Sequence, residues 1–146
     1  MRFTIDKKAF VEGLGTVIGA IDSKPQFPVL SGLLLIVAQE GITLVGSNSD
    51  ITIKTFIPSF NDKYILIEDV QEGSVVLQAK LLNNIIKKLP EQSVSITMDD
   101  KLRVVIKSGK SKFKLNGMDA QEYPKLPNIA KENMFKIEAS LLKDII

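Results

Sequence analysis

One phrase, a short apolar strand running directly into an amphipathic helix, occurs three times in this chain. No other feature limits the possible folds as strongly. Its fullest copy runs from Val75 to Pro90. There Leu81, Leu82, Ile85, Ile86 and Leu89 recur at i, i+1, i+4, i+5 and i+8, the spacing of a helix with one apolar side. The other side carries Lys80, Asn83, Asn84, Lys87 and Lys88 and no acid. Pro90 follows the last apolar position, where it cannot continue a helix. A shift of 60 residues lays Val75, Leu77, Ala79, Leu81, Leu82, Ile85 and Ile86 onto Phe135, Ile137, Ala139, Leu141, Leu142, Ile145 and Ile146. A shift of 132 lays Phe3, Ile5, Asp6, Phe10 and Leu14 onto Phe135, Ile137, Glu138, Leu142 and Ile146. Recurrence at this scale marks repeated structural units. The last copy stops in mid-helix on an apolar residue without a cap. The expectation is one full repeat and the opening of another, taken from a parent of about 400 residues.

Between the first two copies of the phrase the chain alternates as strands do. Arg2 to Asp6 reads as a strand and Lys7 to Ile21 as a helix with Phe10, Leu14, Val17, Ile18 and Ile21 on its core face. Gly13, Gly15 and Gly19 fall inside that helix and are expected to allow close packing. Asp22 to Pro28 is a loop by its turn formers and prolines. Val29 to Ala38, Ile42 to Gly46 and Ile51 to Ile57 read as three strands joined by tight turns. Ser59 to Gly73 is polar with an acid cluster and a short apolar centre, Tyr64 to Ile67, and reads as a loop with some extended structure. The plan then repeats: strand Ser74 to Gln78, helix Ala79 to Leu89, and strands Ser93 to Met98, Leu102 to Lys107 and Lys110 to Leu115. Asn116 to Asn133 reads as a linker. Strands joined by tight turns pair antiparallel, and each helix must bury its stripe on a sheet. The predicted fold is α+β: two βαβββ halves, related by a pseudo-twofold, that place two helices on two antiparallel sheets.

Composition narrows the chemistry. The 146 residues are 45% hydrophobic and 25% charged, as in ordinary globular domains. There is no His and no Cys, so the commonest general base and the usual zinc ligands are missing, and no disulfide can form. Gly109-Lys-Ser111 resembles the end of a phosphate-binding loop, but the glycine that loop needs five positions earlier is Val104. No pair of acids stands out as a catalytic dyad. The expectation is a non-enzyme with no metal and no cofactor. No apolar run reaches membrane-spanning length and no signal peptide is evident, so a cytoplasmic location is expected. The net charge of +2 is small, so any interaction with nucleic acid must rest on where the charges sit.

Several phrases are similar to those of a known family: Met1-Arg-Phe-Thr-Ile5, Pro25-Gln-Phe-Pro-Val-Leu-Ser-Gly-Leu-Leu34, Ile42-Thr-Leu-Val-Gly-Ser47, Ser108-Gly-Lys-Ser-Lys-Phe-Lys-Leu115 and Glu122-Tyr-Pro-Lys-Leu-Pro127. Together with the βαβββ plan they resemble the bacterial DNA polymerase III beta subunit, the replicative sliding clamp. The resemblance covers the first domain of three, residues 1–129, and the opening of the second, 130–146. It implies a ring of two head-to-tail subunits that encircles duplex DNA without reading sequence and tethers the replicative polymerase. Polymerase and clamp loader would bind through domains beyond this chain, and the piece alone would be monomeric.

The resemblance also assigns sites. The helices of the family line the DNA channel, which turns the acid-free face with Lys80, Lys87 and Lys88 toward phosphate; a merely solvated helix face has the same composition. Lys24 falls where the family usually has a DNA-contacting arginine. It keeps the charge and loses the planar fork; an exposed loop lysine is the simpler alternative. Lys7 and Lys8, at a helix start, are weaker candidates. Lys110, Lys112, Phe113 and Leu115 fall on the strand that meets the partner subunit in the family, although lysines on an edge strand also guard against stray pairing. The competing function is a stand-alone clamp-derived domain that caps a clamp and regulates replication.

Overall fold

The computed structural model describes residues 1–22, 27–48 and 50–124. The third copy of the repeated phrase, the boundary at 129/130 and Lys24 lie outside these residues.

Strand β1 (Arg2–Asp6) turns Phe3 and Ile5 into the core and runs straight into helix α1 (Lys7–Ile18). The Asp6 carboxylate accepts from the backbone N–H of Ala9 at 3.0 Å, an N-cap that satisfies one of the helix's orphan donors. A short 3₁₀ turn, Pro28–Ser31, precedes β2 (Gly32–Ala38), so the predicted long strand begins only at the glycine. β3 (Gly41–Ser47) and β4 (Thr52–Pro58) complete the first half. The second half consists of β6 (Gly73–Gln78), α2 (Ala79–Lys88), β7 (Ser93–Met98), β8 (Arg103–Ser108) and β9 (Ser111–Asn116). Between the halves, the segment expected to be mostly loop contributes β5 (Ile67–Gln71).

The two halves exchange their first strands. One sheet has the order β5-β1-β7-β8-β9 and the other β4-β3-β2-β6, all neighbours antiparallel. Thus β1 joins the meander of the second half and β6 joins that of the first. The pseudo-twofold extends to the connections. After the first meander the chain returns as β5 to cover the edge of β1; after the second, Met118 pairs with Val76 of β6 through backbone bonds of 3.0 and 2.8 Å. Among the described residues β4 and β9 end the two meanders as edge strands, and β5 is the other edge of the first sheet.

α1 and α2 lie against one another under the sheets. One apolar cluster spans both halves, from Phe3, Phe10 and Leu14 through Leu33, Leu44 and Leu77 to Leu82, Ile86 and Ile106. The three glycines of α1 divide. A Cβ on Gly13 would stand 2.8 Å from Ile57 Cδ1, so this glycine does permit close packing of α1 on β4. Gly15 and Gly19 face open space, against expectation. Nothing in the fold needs a glycine at position 15, so Gly15→Ala is expected to stabilise the protein by about 0.5–1 kcal/mol. A lower urea midpoint in the variant would contradict this.

Two further expectations are revised. Leu81, assigned to the buried stripe of α2, is 42% exposed, whereas Leu82 is fully buried. At about 100° per residue, Leu81 sits roughly 90° from the mean direction of Leu82, Ile85, Ile86 and Leu89, at the flank of the stripe. The first part of the presumed linker is docked: Met118 and Tyr123 pack with Leu30, Val45 and Val76 on the outer face of the second sheet. Val45 and Val76 point away from the main core, and this segment covers them.

Candidate nucleic-acid interface

Helix α2 has its polar residues confined to one side, and the charges on that side are all positive. Lys80, Lys87 and Lys88 are exposed, and among the described residues none of them forms an ion pair. Lys80, Asn84 and Lys87 fall within about 60° of one another around the axis, opposite the core, with the two lysines about 10.5 Å apart along it. Lys88 stands on the flank beside Leu81. No acid lies in the first turn, and Gln78 makes no side-chain cap, so the positive end of the helix dipole is unneutralised next to Lys80. Asn83 is partly buried on the other flank, and its Oδ1 meets no partner among the described residues.

Lys7 has a different task. Its ammonium donates to the Leu89 carbonyl at 2.7 Å, and its backbone N–H donates to the Gln92 carbonyl at 2.7 Å. It satisfies an orphan carbonyl at the end of α2 and places a cation at the negative end of that helix. Lys7 therefore fixes the carrier of the basic stripe. Lys8 is exposed on α1, one turn before Glu12 on the same face.

The second candidate site is β9. Gly109 takes φ +57° in the two-residue turn that joins β8 to β9. Lys110 belongs to that turn; the strand begins at Ser111, one residue later than predicted. The register sets Phe113 opposite Ile106 and Leu115 opposite Val104, on the core side, and Lys112 opposite Lys107 and Lys114 opposite Val105, on the outer side. Phe113 remains 39% exposed because β9 is the last strand of its sheet and none of the described residues covers it. Two lysines directly across from one another repel, and no acid neutralises them among the described residues. Lys107 and Lys114 were not among the predicted residues. The tight turn and the alternation of the strand were the signal that could have found them. Nearby, Arg103 pairs with Asp99 (Nε–Oδ2 2.7 Å), and the backbone N–H of Arg103, then its side chain, hold the Asp99 carboxyl below the usual carboxylate range. Among the described residues no group of three His, Cys, Asp or Glu is placed to hold a metal, and no helix is long and apolar enough to cross a membrane.

A helix layer with a basic, acid-free stripe beneath two sheets that end in open strands defines a clamp-type domain. The N-terminal domain of the DNA polymerase III beta subunit matches residues 1–127, and the chain belongs to that family. It is 44% identical to the beta sliding clamp of Halalkalibacterium halodurans over 146 residues, all of this chain and 38% of that protein. It is 40% identical to the beta sliding clamp of Bacillus subtilis, again over its whole length and 39% of the relative. The chain therefore spans less than two-fifths of these relatives. The crystal structure of the beta subunit from DNA polymerase of Streptococcus pyogenes superposes with a TM-score of 0.90 at 34% identity, covering 99% of this chain and 38% of that one. The DNA polymerase sliding clamp from B. subtilis superposes with a TM-score of 0.87, covering 90% and 34%.

Proposed function

We propose that this chain serves as the first domain of a sliding clamp, residues 1–129, with 130–146 opening the next domain. The assembled ring encircles duplex DNA and tethers the replicative polymerase, in the cytoplasm and without catalysing a step itself. The observation that carries this reading is the basic stripe of α2, on the layer opposite the sheets. Lys80 and Lys87 face phosphate, with Lys88 at the side; Lys24, outside the described residues and later in sequence than α1, is a further phosphate contact of this reading. A field of a few unpaired lysines suits sliding, because contacts to phosphate hold the duplex without reading bases. Membership in the clamp family supports the same orientation. β9, through Lys112, Phe113 and Leu115, together with Lys110 in the turn before it, meets the partner subunit and closes the ring head to tail. Polymerase and clamp loader engage domains beyond these residues.

The DNA role is tested in the full-length clamp with Lys80→Glu and Lys87→Glu together. Loading onto circular DNA should weaken, and the slope of log affinity against log salt should fall by up to about 4 in magnitude, close to one for each of the four lysines reversed in a two-subunit ring. Circular dichroism should not change, since both side chains are exposed. An unaltered salt slope would remove α2 from the DNA surface.

A further inference from the structure

The connection between β4 and β5 carries large apolar side chains in water on either side of a polar tip, Asn61-Asp62-Lys63. Phe60, Tyr64 and Ile65 are 73%, 67% and 66% exposed. The turn that carries them is nevertheless tightly held. Phe60 and Ile65 form a β-bridge, and the Asn61 backbone N–H donates to the Tyr64 carbonyl at 2.9 Å. Asn61 Oδ1 accepts from the backbone N–H groups of Lys63 and Tyr64 at 2.9 and 2.7 Å. The Ser59 carbonyl accepts from Leu66 and Ile67 at 2.7 and 3.0 Å, and the Ser59 hydroxyl donates to the Gln39 carbonyl at 2.7 Å. Ile67 turns inward and is buried, while the three large side chains are held out in water.

Beside this turn runs a groove of about 650 Å³ lined by Ile65, Leu66 and Glu68, by Pro90 to Ser93 and by Thr4 to Asp6. Asp6 is already engaged by the Ala9 N–H. Glu68 and Glu91 are exposed on the two walls, and neither forms an ion pair among the described residues. The apolar turn thus borders a groove whose free charges are negative.

We propose that the Phe60–Ile65 turn and this groove dock an extended segment of a partner protein in which arginine or lysine alternates with large apolar side chains. Exposed apolar patches with a polar rim mark protein contacts, and tyrosine is favoured at their centres. A turn ordered in advance loses little entropy on binding. The sign of the rim selects the occupant. Glu68 and Glu91 repel phosphate, which disfavours nucleic acid and anionic lipid, and two copies meeting through this same face would set their acids against each other. Guanidinium groups pair with the two carboxylates in fork geometry, while the apolar residues cover Tyr64 and Ile65. The site does not depend on the DNA-facing role of α2.

The test is a titration of the ¹⁵N-labelled 146-residue chain with the peptide acetyl-LRFRL-amide and, separately, with acetyl-LEFEL-amide. The basic peptide is expected to give saturable shifts confined to residues 60–68 and 90–93, and the acidic one none. Phe60→Ser with Tyr64→Ser should weaken binding about tenfold or more, and Glu68→Lys with Glu91→Lys should do likewise. All four positions are exposed, so the folded spectrum should persist in both variants. Absence of binding, shifts elsewhere, an equal response to the acidic peptide, or indifference to either pair of substitutions would overturn the proposal. Shifts of residues 60–68 with protein concentration alone would assign the surface to a second copy instead and overturn it as well.

Discussion

Lys112→Glu combined with Phe113→Ser, made in the full-length clamp, is expected to raise the subunit dissociation constant at least a hundredfold, about 3 kcal/mol. The proposed contact has two separable parts. Phe113 stands opposite Ile106 on the core side of the last strand and is 39% exposed, an apolar ledge that a neighbouring strand would finish burying. Lys112 stands opposite Lys107 on the outer side, so its charge is repelled at home and gains from an acid across the interface. Removing an aromatic anchor at an interface commonly costs about 2 kcal/mol or more, and reversing a charge sets like against like. Sedimentation velocity across a dilution series measures the constant. With Phe113→Ser alone, dimerisation should keep the salt dependence of the parent, whereas Lys112→Glu should reduce it. A double variant that dimerises as tightly as the parent would place the interface elsewhere. The isolated domain should keep its stability in both variants, because neither side chain belongs to the buried cluster.

The second expected result concerns adjacent leucines. Leu82→Ala should destabilise the domain by about 2–5 kcal/mol, while Leu81→Ala should cost less than about 1 kcal/mol. Leu82 is fully buried in the cluster that joins both halves, and truncating it leaves a cavity; Leu81 is 42% exposed. Urea unfolding of the two variants side by side measures the difference. Equal losses would mean that Leu81 is buried in solution, as the simple reading of the repeat has it. The comparison also bears on function, since Leu81 stands beside Lys88 on the flank of the basic stripe.

Helix and strand placement was largely legible from residue order. The period of α2, its polar face without acid and its arrest at Pro90 need no tertiary information, and the three-strand meanders follow from alternation and tight turns. These are local effects, decided by neighbours within a few residues. The family could be recognised because the quoted phrases run through the whole chain in order. The candidate site was legible in part. Lys80, Lys87 and Lys88 are exposed as their helical positions require, but nothing local to Lys7 reveals that its ammonium stands 2.7 Å from the Leu89 carbonyl, 82 residues away.

By itself the sequence determined the repeated βαβββ plan, the polarity of each helix face and the absence of His and Cys chemistry. Tertiary structure alone decided that the halves exchange β1 and β6, that β4 and β9 end their sheets, and that Ser59 to Gln71 forms a hydrogen-bonded turn followed by a strand. The reason is physical. A strand's alternation says which side chains share a face but not which strand lies beside it, because backbone hydrogen bonds are the same for every partner. The choice of neighbour falls to long-range burial: paired between β5 and β7, β1 turns Phe3 and Ile5 into the main core, and α1 approaches β4 where Gly13 makes room for Ile57.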